Sequence, residues 1–390
     1  MAVWHASALT ALAAVLLLSS AVLAGNYTLQ EEITGRGFLD RFWFWTHADP
    51  THGSVDYVDE FTAVSNGLAT VDSAGRFVIR ADNTTVVPYG QYRKSVRMHS
   101  KRLMGDGILV GKFSFMPQGC GTWPAFWTCT NGNWPSGGEI DIIEGANDQG
   151  PRNLASLHTQ YGCTIPAGYR SDQSGFSGAT DCAYQPGCSS SFVANSSYGP
   201  DFNKNGGGYF AMRRETRPGD PGIGVYFWPM STSPSSLPAA VAAIADGVSA
   251  PKYVVTNRNA TGNDRTELNK WGVPSAFFPN VLNSSASPAV LAAGSADVCQ
   301  MASYFDQHEI IINLSLCGDW AGETFGPSGC AVRNGMSCTE FVRASPSAFT
   351  DARWEIDYMR VYDNGSALSG RPARLLSVTL AFAVVGYLLL

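Results

Sequence analysis

The sequence predicts an all-β protein, built as a sandwich of two antiparallel sheets. Strand-like runs bounded by glycine and proline recur along the chain, whereas periodic helical segments are few. Charged residues make up only 15% of the 390 positions, while glycines number 41, prolines 21, and aromatic residues account for 12%. A mature region of about 340 residues exceeds an ordinary sandwich, so we expect the excess to lie in loops.

The first 24 residues have the composition of a secretory signal peptide. Residues 8–23 form an apolar core, and the small residue Ala24 that follows suits signal peptidase. The usual positively charged segment before such a core is missing, and a membrane anchor is the alternative interpretation. We predict cleavage after Ala24.

An aromatic segment, Gly121 to Thr128, has the pattern of a strand. Alternation places Trp123 and Trp127 on one face and Phe126 on the other. Aromatic rings offer flat apolar faces against which a sugar ring can stack. We therefore predict Trp127 and the nearby Trp134 as residues of a binding cleft, with Trp123 as a further candidate, and assign the rest of this set to the core.

Three carboxylates interrupt the apolar run at residues 139–144, Glu-Ile-Asp-Ile-Ile-Glu, which is typical of a short strand. A strand sends residues i and i+2 to one face, so Glu139 and Asp141 are neighbours. Strict alternation would turn Glu144 into the core, where an unpaired carboxylate is unfavourable. We therefore predict a one-residue β-bulge near Ile142-Ile143 that returns Glu144 to the face of the other acids.

Two glutamates on one strand face fit the chemistry of a retaining glycosidase. With the bulge their Cα atoms lie roughly 13 Å apart, and side chains that lean together can approach the roughly 5 to 5.5 Å of a retaining pair. Glu139 is then the candidate nucleophile and Glu144 the candidate acid and base, with Asp141 hydrogen-bonded to the nucleophile. The alternative is a solvated strand face with scattered acids, against which the apolar and aromatic flanks argue.

Nine cysteines behind a leader of this kind indicate an oxidising compartment and several disulfides, with one thiol left over. Close spacing suggests local bonds such as Cys182 with Cys188 or Cys330 with Cys338, although connectivity cannot be read from one sequence. Seven Asn-x-Ser/Thr sequons agree with a secretory route. Asn313, in a strand-like run, is predicted to be the least accessible of them.

Several classes of function lack sequence support. The six histidines include no His-Glu-x-x-His pattern, and neither a nucleophile-elbow motif nor a phosphate-binding glycine loop occurs. Acidic residues outnumber basic ones, for a net charge of −6, and no basic stripe indicates nucleic acid. We therefore expect no catalytic metal, no cofactor and no nucleic-acid partner.

The chain resembles fungal members of glycoside hydrolase family 16, the laminarinase-like endo-1,3(4)-β-glucanases. The matching segments, spread over roughly residues 38–362, are Asp49–Gly53, Ser95–Arg97, Gly121–Trp127, Asn133–Pro135, Gly138–Gly145, Leu157–Thr159, Gly206–Tyr209, Ile311–Leu314, Cys317–Gly322 and Trp354–Tyr358. The resemblance implies a concanavalin-like β-jelly-roll sandwich whose concave cleft hydrolyses β-1,3 or mixed β-1,3/1,4 glucan with retention. It implies these site residues: Glu139 as nucleophile, Asp141 as assisting acid, Glu144 as acid/base, and Trp127, Trp134 and His158 as substrate contacts.

The resemblance leaves some points open. Family members that act as cell-wall glucan transglycosylases more often have Glu-x-Asp-x-Glu without the extra residue, which favours a hydrolase here. A non-catalytic glucan-binding module is a second alternative, against which the presence of both glutamates argues. Some relatives carry structural calcium, for which Asp357 is the one candidate ligand. The section 229–300, in which alanine-rich Pro238–Ala250 could form a short helix, departs from the compact family pattern and bears on one cleft wall.

The C-terminal segment Leu375–Leu390 is almost continuously apolar but short for a membrane span of about 20 residues. A polar spacer and the small residues at 364–366 precede it, which together fit a glycosylphosphatidylinositol (GPI) attachment signal. We predict a signal peptide at 1–24, a catalytic domain at 25–363 and a GPI signal at 364–390, with a retained tail helix as the alternative. The mature protein would be a monomer, lipid-anchored outside the plasma membrane or in the cell wall.

Overall fold

The computed structural model describes residues 26–148, 150–165, 172–242, 249–256, 262–280 and 299–364. The predicted leader and nearly all of the predicted GPI signal lie outside these ranges. Within them, no helix is long and apolar enough to cross a bilayer.

Strands dominate the described part of the chain. They are β1 (Asn26–Ile33), β2 (Phe42–Phe44), β3 (Val55–Tyr57), β4 (Ala69–Val71), β5 (Phe77–Arg80), β6 (Arg93–Ser95), β7 (Arg97–Met104), β8 (Gly107–Phe115), β9 (Thr122–Thr130), β10 (Glu139–Glu144), β11 (Leu154–His158), β12 (Phe176–Ser177), β13 (Cys188–Ser191), β14 (Gly208–Glu215), β15 (Gly222–Pro229), β16 (Tyr253–Val255), β17 (Ala276–Pro279), β18 (His308–Leu316) and β19 (Arg353–Asp363). The helices are short: α1 (Gly37–Arg41), α2 (Glu60–Ser65), α3 (Gly199–Lys204), α4 (Gly262–Lys270), α5 (Cys330–Asn334) and α6 (Cys338–Ala344).

Two antiparallel sheets form the predicted sandwich. The eight-stranded sheet, called here the site sheet, has the order β12-β13-β11-β10-β9-β18-β7-β2. The nine-stranded back sheet has the order β16-β1-β19-β8-β14-β15-β17, with β5 also paired to β19 and β4 to β5. The all-β prediction is confirmed. Placing the excess residues of sections 164–208 and 229–300 entirely in loops was wrong, because β12, β13, β16 and β17 come from these sections and extend the sheets.

The core lies between the two sheets, where alternation directs one side of each strand inward. Phe126 of β9 meets Phe113 of β8 edge to face, with ring centroids 5.2 Å apart. Trp354 of β19, fully buried, donates its indole N–H to the carbonyl of Asn313 on β18 at 3.0 Å. These contacts hold the site sheet against the back sheet and leave its other face available.

The outer face of the back sheet carries a second apolar cluster, in which Tyr209 and Tyr358 pack with Leu237, Val241 and Trp271. The section expected to bear on one cleft wall thus contributes to the opposite side of the sandwich. A hydrogen-bonded turn stands at residues 238–242 where we suggested a helix, and 243–248 lie outside the described residues. This section covers aromatic side chains of the back sheet that would otherwise be exposed, and large exposed apolar patches are unfavourable.

Four disulfides join Cys120 to Cys330, Cys163 to Cys299, Cys182 to Cys188, and Cys317 to Cys338, and Cys129 is the free, buried thiol. The local Cys182–Cys188 bond is confirmed, whereas the suggested Cys330–Cys338 bond was wrong. Cys120 precedes β9 and Cys317 follows β18, at the same end of two paired strands. Disulfides link helix α5 to the start of β9 and helix α6 to the end of β18. This connectivity depends on the order of the strands in the sheet and not on the spacing of the cysteines in the sequence.

Candidate active site

The predicted bulge is present in β10. Against β9, Asp141 pairs with Trp127 and Ile143 with Phe126, so one extra residue separates the two pairs. The register with β11 shifts between Asp141 and Glu144. Both Ile142 and Ile143 are fully buried in the core. The bulge therefore lets two consecutive isoleucines enter the core while the acids before and after them share the outer face.

Asn153, fully buried before β11, stabilises this bulge. Its side-chain amide donates to the carbonyl of Ile142 (2.7 Å) and its Oδ1 accepts the backbone N–H of Glu144 (3.1 Å). A bulge removes backbone groups from regular pairing, and buried polar groups of this kind need a partner. Sequence reasoning missed Asn153, because nothing in the pattern around it marks a residue that bridges another strand.

The Glu139 end of β10 is organised around a histidine. His158 lies opposite Glu139 on β11, with Nε2 3.2 Å from Asp141 Oδ2 and 3.8 Å from Glu139 Oε1. Its Nδ1 donates to the carbonyl of Tyr184 at 2.7 Å. Trp134, 41% exposed, donates its indole N–H to Glu139 Oε2 at 3.0 Å. We expected Asp141 to bond Glu139, but both carboxylates instead face the same imidazole, whose positive charge relieves their repulsion.

The Glu144 end is lined by tryptophans. Trp123 donates its indole N–H to Glu144 Oε1 at 2.9 Å. Trp320, in the short π-helix Gly318–Gly322, packs edge to face on Trp123, with centroids 5.7 Å apart and planes at 86°. Trp123 thus contacts a catalytic candidate directly. Sequence analysis did not single out Trp320 individually, although the matching segment Cys317–Gly322 contains it.

Trp127 lies on the same face of the site sheet. Its indole N–H donates to Oδ1 of Asn313 at 2.7 Å, and the Arg97 guanidinium stands 5.0 Å from the centroid of its ring. Asn313 is only 6% exposed, consistent with the expected poor accessibility of this sequon. The sequence thus placed Trp127 on the correct face, while the role of Asn313 in orienting it became apparent only from the structure.

A second polar cluster extends this face across β18 and β7. Arg97 donates from Nε to Nε2 of His99 (2.9 Å), whose Nδ1 lies 2.9 Å from Glu309 Oε2. Burial lowers the pKa of His99 to about 4, so its neutral ring bridges the guanidinium and the carboxylate. Trp45 stacks on His99 with centroids 5.3 Å apart. The sequence indicated Arg97 only as part of a matching segment and gave no signal for His99.

The electrostatics of the three acids depend on His158. Although burial lowers the pKa of this imidazole, Asp141 and Glu139 raise it to about 10, so the ring is a cation at neutral pH. Burial first, and then the negative charge of Asp141, raises the pKa of both Glu139 and Glu144. The nearby cation opposes this rise at Glu139, and at Glu144 the hydrogen bond from Trp123 opposes it.

Glu139, Asp141 and His158 also form a cluster of metal-ligating types, with one ligand atom from each lying within 4.8 Å of the others. A metal bound here would have to displace the Nε2 proton of His158, and the raised pKa makes that proton harder to remove. The imidazolium already supplies positive charge at this position.

Asp357 is the residue that the family resemblance suggested as a calcium ligand. Both of its carboxylate oxygens have protein partners: Oδ1 lies 3.1 Å from Lys112 Nζ, and Oδ2 accepts from Ser114 Oγ at 2.7 Å.

Comparison with known proteins finds similarity over most of this chain. A profile described as the XgeA-like catalytic GH16 domain matches residues 42–362. An endo-1,3(4)-β-glucanase of Arthroderma benhamiae is 33% identical over 364 residues, covering 90% of this chain and 69% of that protein. A probable endo-1,3(4)-β-glucanase of Aspergillus niger is 34% identical over 91% of this chain, which spans only 43% of that relative.

Two solved structures are similar over nearly their whole length. Laminarinase 16A of Phanerochaete chrysosporium, with β-glucans bound in donor and acceptor sites, has 38% identity and a TM-score of 0.71, covering 86% of this chain and 99% of that one. A GH family 16 enzyme described as an elongating β-1,3-glucosyltransferase has 30% identity, a TM-score of 0.69 and the same coverage.

Proposed function

The chain belongs to glycoside hydrolase family 16, and from this we propose that it is a retaining endo-hydrolase of β-1,3 or mixed-linkage β-1,3/1,4-glucan. The observation that carries the proposal is the arrangement on β10, where the bulge puts Glu139 and Glu144 on one face. Each carboxylate accepts an indole N–H, from Trp134 and Trp123 respectively. Two differently placed carboxyl groups beside aromatic rings are what a retaining glycosidase requires.

In the proposed reaction Glu139 attacks the anomeric carbon as a carboxylate, while Glu144 gives its proton to the leaving glycosidic oxygen. Loss of that proton leaves Glu144 as the base that activates water against the glycosyl ester. The raised pKa of Glu144 keeps its proton available at neutral pH. His158 holds positive charge beside Glu139 and thereby favours the ionised form that attacks.

We assign substrate contacts to Trp127 and Trp134, with Trp123 positioning the acid. Trp134 is the more exposed platform, and Trp127 lies with Arg97 farther across the sheet. A sugar ring stacked on these indoles would lie over the three acids. Trp127 lies on β9 and Trp134 in the loop between β9 and β10, so an extended glucan on this face would contact both rings.

The direct test measures reducing ends released from laminarin and lichenan, with the configuration of the new reducing sugar followed by NMR. We expect internal cleavage and a β-configured product. An α-configured first product would contradict retention. No activity on either glucan by a correctly disulfide-bonded chain would refute the proposal.

We further propose that this enzyme acts outside the cell, as a monomeric glycoprotein anchored by a GPI lipid. The four disulfides favour an oxidising compartment, and the anchor rests on the composition of 364–390. Phosphatidylinositol-specific phospholipase C should release active enzyme from membranes, and a chain stopped at Asp363 should be secreted in soluble form. Recovery of the Leu375–Leu390 peptide from the mature protein would contradict the anchor.

A further inference from the structure

A pocket of about 460 Å³ opens beside Glu144. Its polar and aromatic lining residues are Glu144, Arg152, Ser191, Asn195, Tyr198 and Trp320. One of them, Asn195, is the first residue of the sequon Asn195-Ser196-Ser197. A motif for the attachment of a carbohydrate chain therefore lies at the pocket that contains the proposed catalytic acid.

The sequons differ in how accessible their asparagines are. Among those whose asparagine side chain is described, Asn313 is buried, Asn83 is half-buried, and Asn195 and Asn364 are exposed. Asn364 belongs to the predicted GPI signal. Asn195 is therefore the most accessible of these asparagines within the catalytic domain.

The loop that carries this sequon is fixed against the strands of the active site. Ser197, fully buried, accepts the backbone N–H of Asn153 at 2.9 Å, next to the start of β11. The ring of Tyr198 packs so closely on Gly145, directly after β10, that a Cβ there would lie 2.3 Å from Tyr198 Cζ. A carbohydrate chain on Asn195 would therefore begin at a constant position relative to the catalytic acid.

The Asn195 side chain is itself held in one orientation. Its Oδ1 accepts from Nε of Arg152 at 2.8 Å, and the Arg152 guanidinium lies 5.1 Å from the centroid of the Phe176 ring. A glycan is attached through Nδ2, so the hydrogen bond to Oδ1 remains when the glycan is present.

Phe176 provides an independent indication that this edge is covered. It is 54% exposed and belongs to β12, the outermost strand of the site sheet. An exposed aromatic side chain on an edge strand favours association with other chains unless something covers it. The apolar face of a sugar ring can stack on an aromatic ring, and a glycan beginning at Asn195 starts one side chain away from Phe176.

We propose that Asn195 carries an N-linked glycan that covers Phe176 and forms an outer wall of the pocket beside Glu144, where it hinders the entry of branched glucan. The inference rests on the proposed secretory route and on the proposed glucan hydrolysis. During secretion Nδ2 forms a bond to the anomeric carbon of a lipid-linked oligosaccharide diphosphate. The bond from that carbon to the diphosphate oxygen breaks, the lipid diphosphate leaves, and Nδ2 loses one proton. N-linked glycans are bulky and hydrated, so a linear glucan should pass this wall more easily than a branched one.

The position of the glycan is tested on the full chain secreted by a eukaryotic host. Peptide N-glycosidase in heavy-oxygen water converts each glycosylated asparagine to a labelled aspartate, which mass spectrometry of the peptides locates. We expect the label at Asn195. Secreted, disulfide-bonded protein without a glycan at Asn195 would overturn this inference alone. A chain that stays inside the cell without any glycan would overturn the proposed extracellular location as well.

The effect on substrate access is tested with three forms of the enzyme: untreated, trimmed by endoglycosidase H to one sugar per site, and Asn195→Gln. The value of kcat/KM on a branched β-1,3-glucan should rise in that order, several-fold from the first form to the last. On linear laminaritetraose it should stay the same. Equal values on the branched polymer in all three forms would overturn the access role. Absence of hydrolysis in every form would refute the hydrolase proposal together with the access role, while the peptide analysis would still decide the glycan position.

Matched variants separate the glycan from the amino-acid change. Asn195→Gln removes the attachment site but keeps an amide oxygen that can accept from Arg152. Asn83→Gln removes a sequon from the loop after β5, which does not line the pocket, and should leave both kcat/KM values unchanged. If Asn83→Gln raised kcat/KM on the branched polymer as much as Asn195→Gln, the effect would not depend on the position of the glycan.

A double-mutant comparison tests whether the glycan covers Phe176. Asn195→Gln should lower the unfolding temperature of the secreted enzyme when Phe176 is present, and should lower it less in the Phe176→Ala background. The same decrease in both backgrounds would show that the glycan does not contact this ring.

Discussion

The two glutamates at the ends of β10 differ in their surroundings although they share one strand face. Glu139 lies 3.8 Å from a histidine cation that also contacts Asp141. Both glutamates accept an indole N–H, but Glu144 borders the pocket lined by Trp320 and Tyr198. Two identical residues can therefore take the different roles of nucleophile and acid because neighbouring strands and loops bring a charge to one end and an aromatic wall to the other.

Removing either carboxylate should have the largest effect on activity, because each glutamate has its own role in the reaction. Glu139→Gln should reduce kcat on laminarin by several powers of ten, since an amide cannot attack the anomeric carbon. Glu144→Ala should be comparably impaired on laminarin but partly spared on substrates with activated aryl leaving groups, and added azide should restore further turnover. Azide rescue of Glu139→Gln with retained configuration, or full activity of that variant, would contradict the assignment of roles.

Changing the number of residues in the bulge tests whether Glu139 and Glu144 have to lie on the same face of β10. Deleting Ile143 leaves Glu-Ile-Asp-Ile-Glu, in which plain alternation still directs all three acids outward, so measurable hydrolysis should remain. Inserting one more isoleucine would turn Glu144 inward, at a cost of several kcal/mol for a buried unpaired carboxylate, and should give inactive or unfolded protein. Circular dichroism and laminarin hydrolysis would distinguish these results. Near-native activity in both variants would mean that the acids are not arranged along one strand.

The acid limb of the pH profile should depend on His158. Without its cation the pKa of Glu139 rises further, so His158→Gln should move the acid limb of kcat/KM to higher pH. Because the pKa of Glu139 is about 7, a rise of about one to two units would lower activity at neutral pH about 5- to 50-fold. The measurement is kcat/KM across the pH range on one soluble oligosaccharide. An alkaline limb that moves while the acid limb stays would reverse the assignment of the two glutamates.

The smallest expected effect is a shift of the alkaline limb of the pH profile when Trp123 is replaced. Its N–H favours the ionised form of Glu144, so Trp123→Phe should raise the pKa of that acid and move the alkaline limb to higher pH. One hydrogen bond of about 1 kcal/mol corresponds to less than one pH unit. Trp134→Phe is the matched variant at the other end, and it should move the acid limb upward instead. If the same limb of the pH profile moved in both variants, the two tryptophans would not act on the pKa values of different glutamates.

The order of apolar and polar residues along each strand was sufficient to predict the geometry of β9 and β10. The position of Glu144 after two isoleucines required a bulge, and alternation oriented Trp123 and Phe126, because these features depend on nearest neighbours along one strand. Asn153 and Tyr198 could not be predicted in this way, since each lies in a loop and reaches another part of the chain. The Cys330 bond was missed for the same reason, because its partner is set by the order of strands in the sheet.

The leftover cysteine has a consequence for the permanence of the fold. Cys129 pairs with Glu139 across the strands, and burial, reinforced by that carboxylate, raises the pKa of its thiol well above the ordinary value. Disulfide exchange begins with attack by a thiolate. The protonated, enclosed sulfur of Cys129 is therefore a poor initiator of reshuffling among the four bonds of its own chain. An odd number of cysteines permits mispairing while the chain is open, and closure of the sandwich removes the reactive species that could undo the native connectivity.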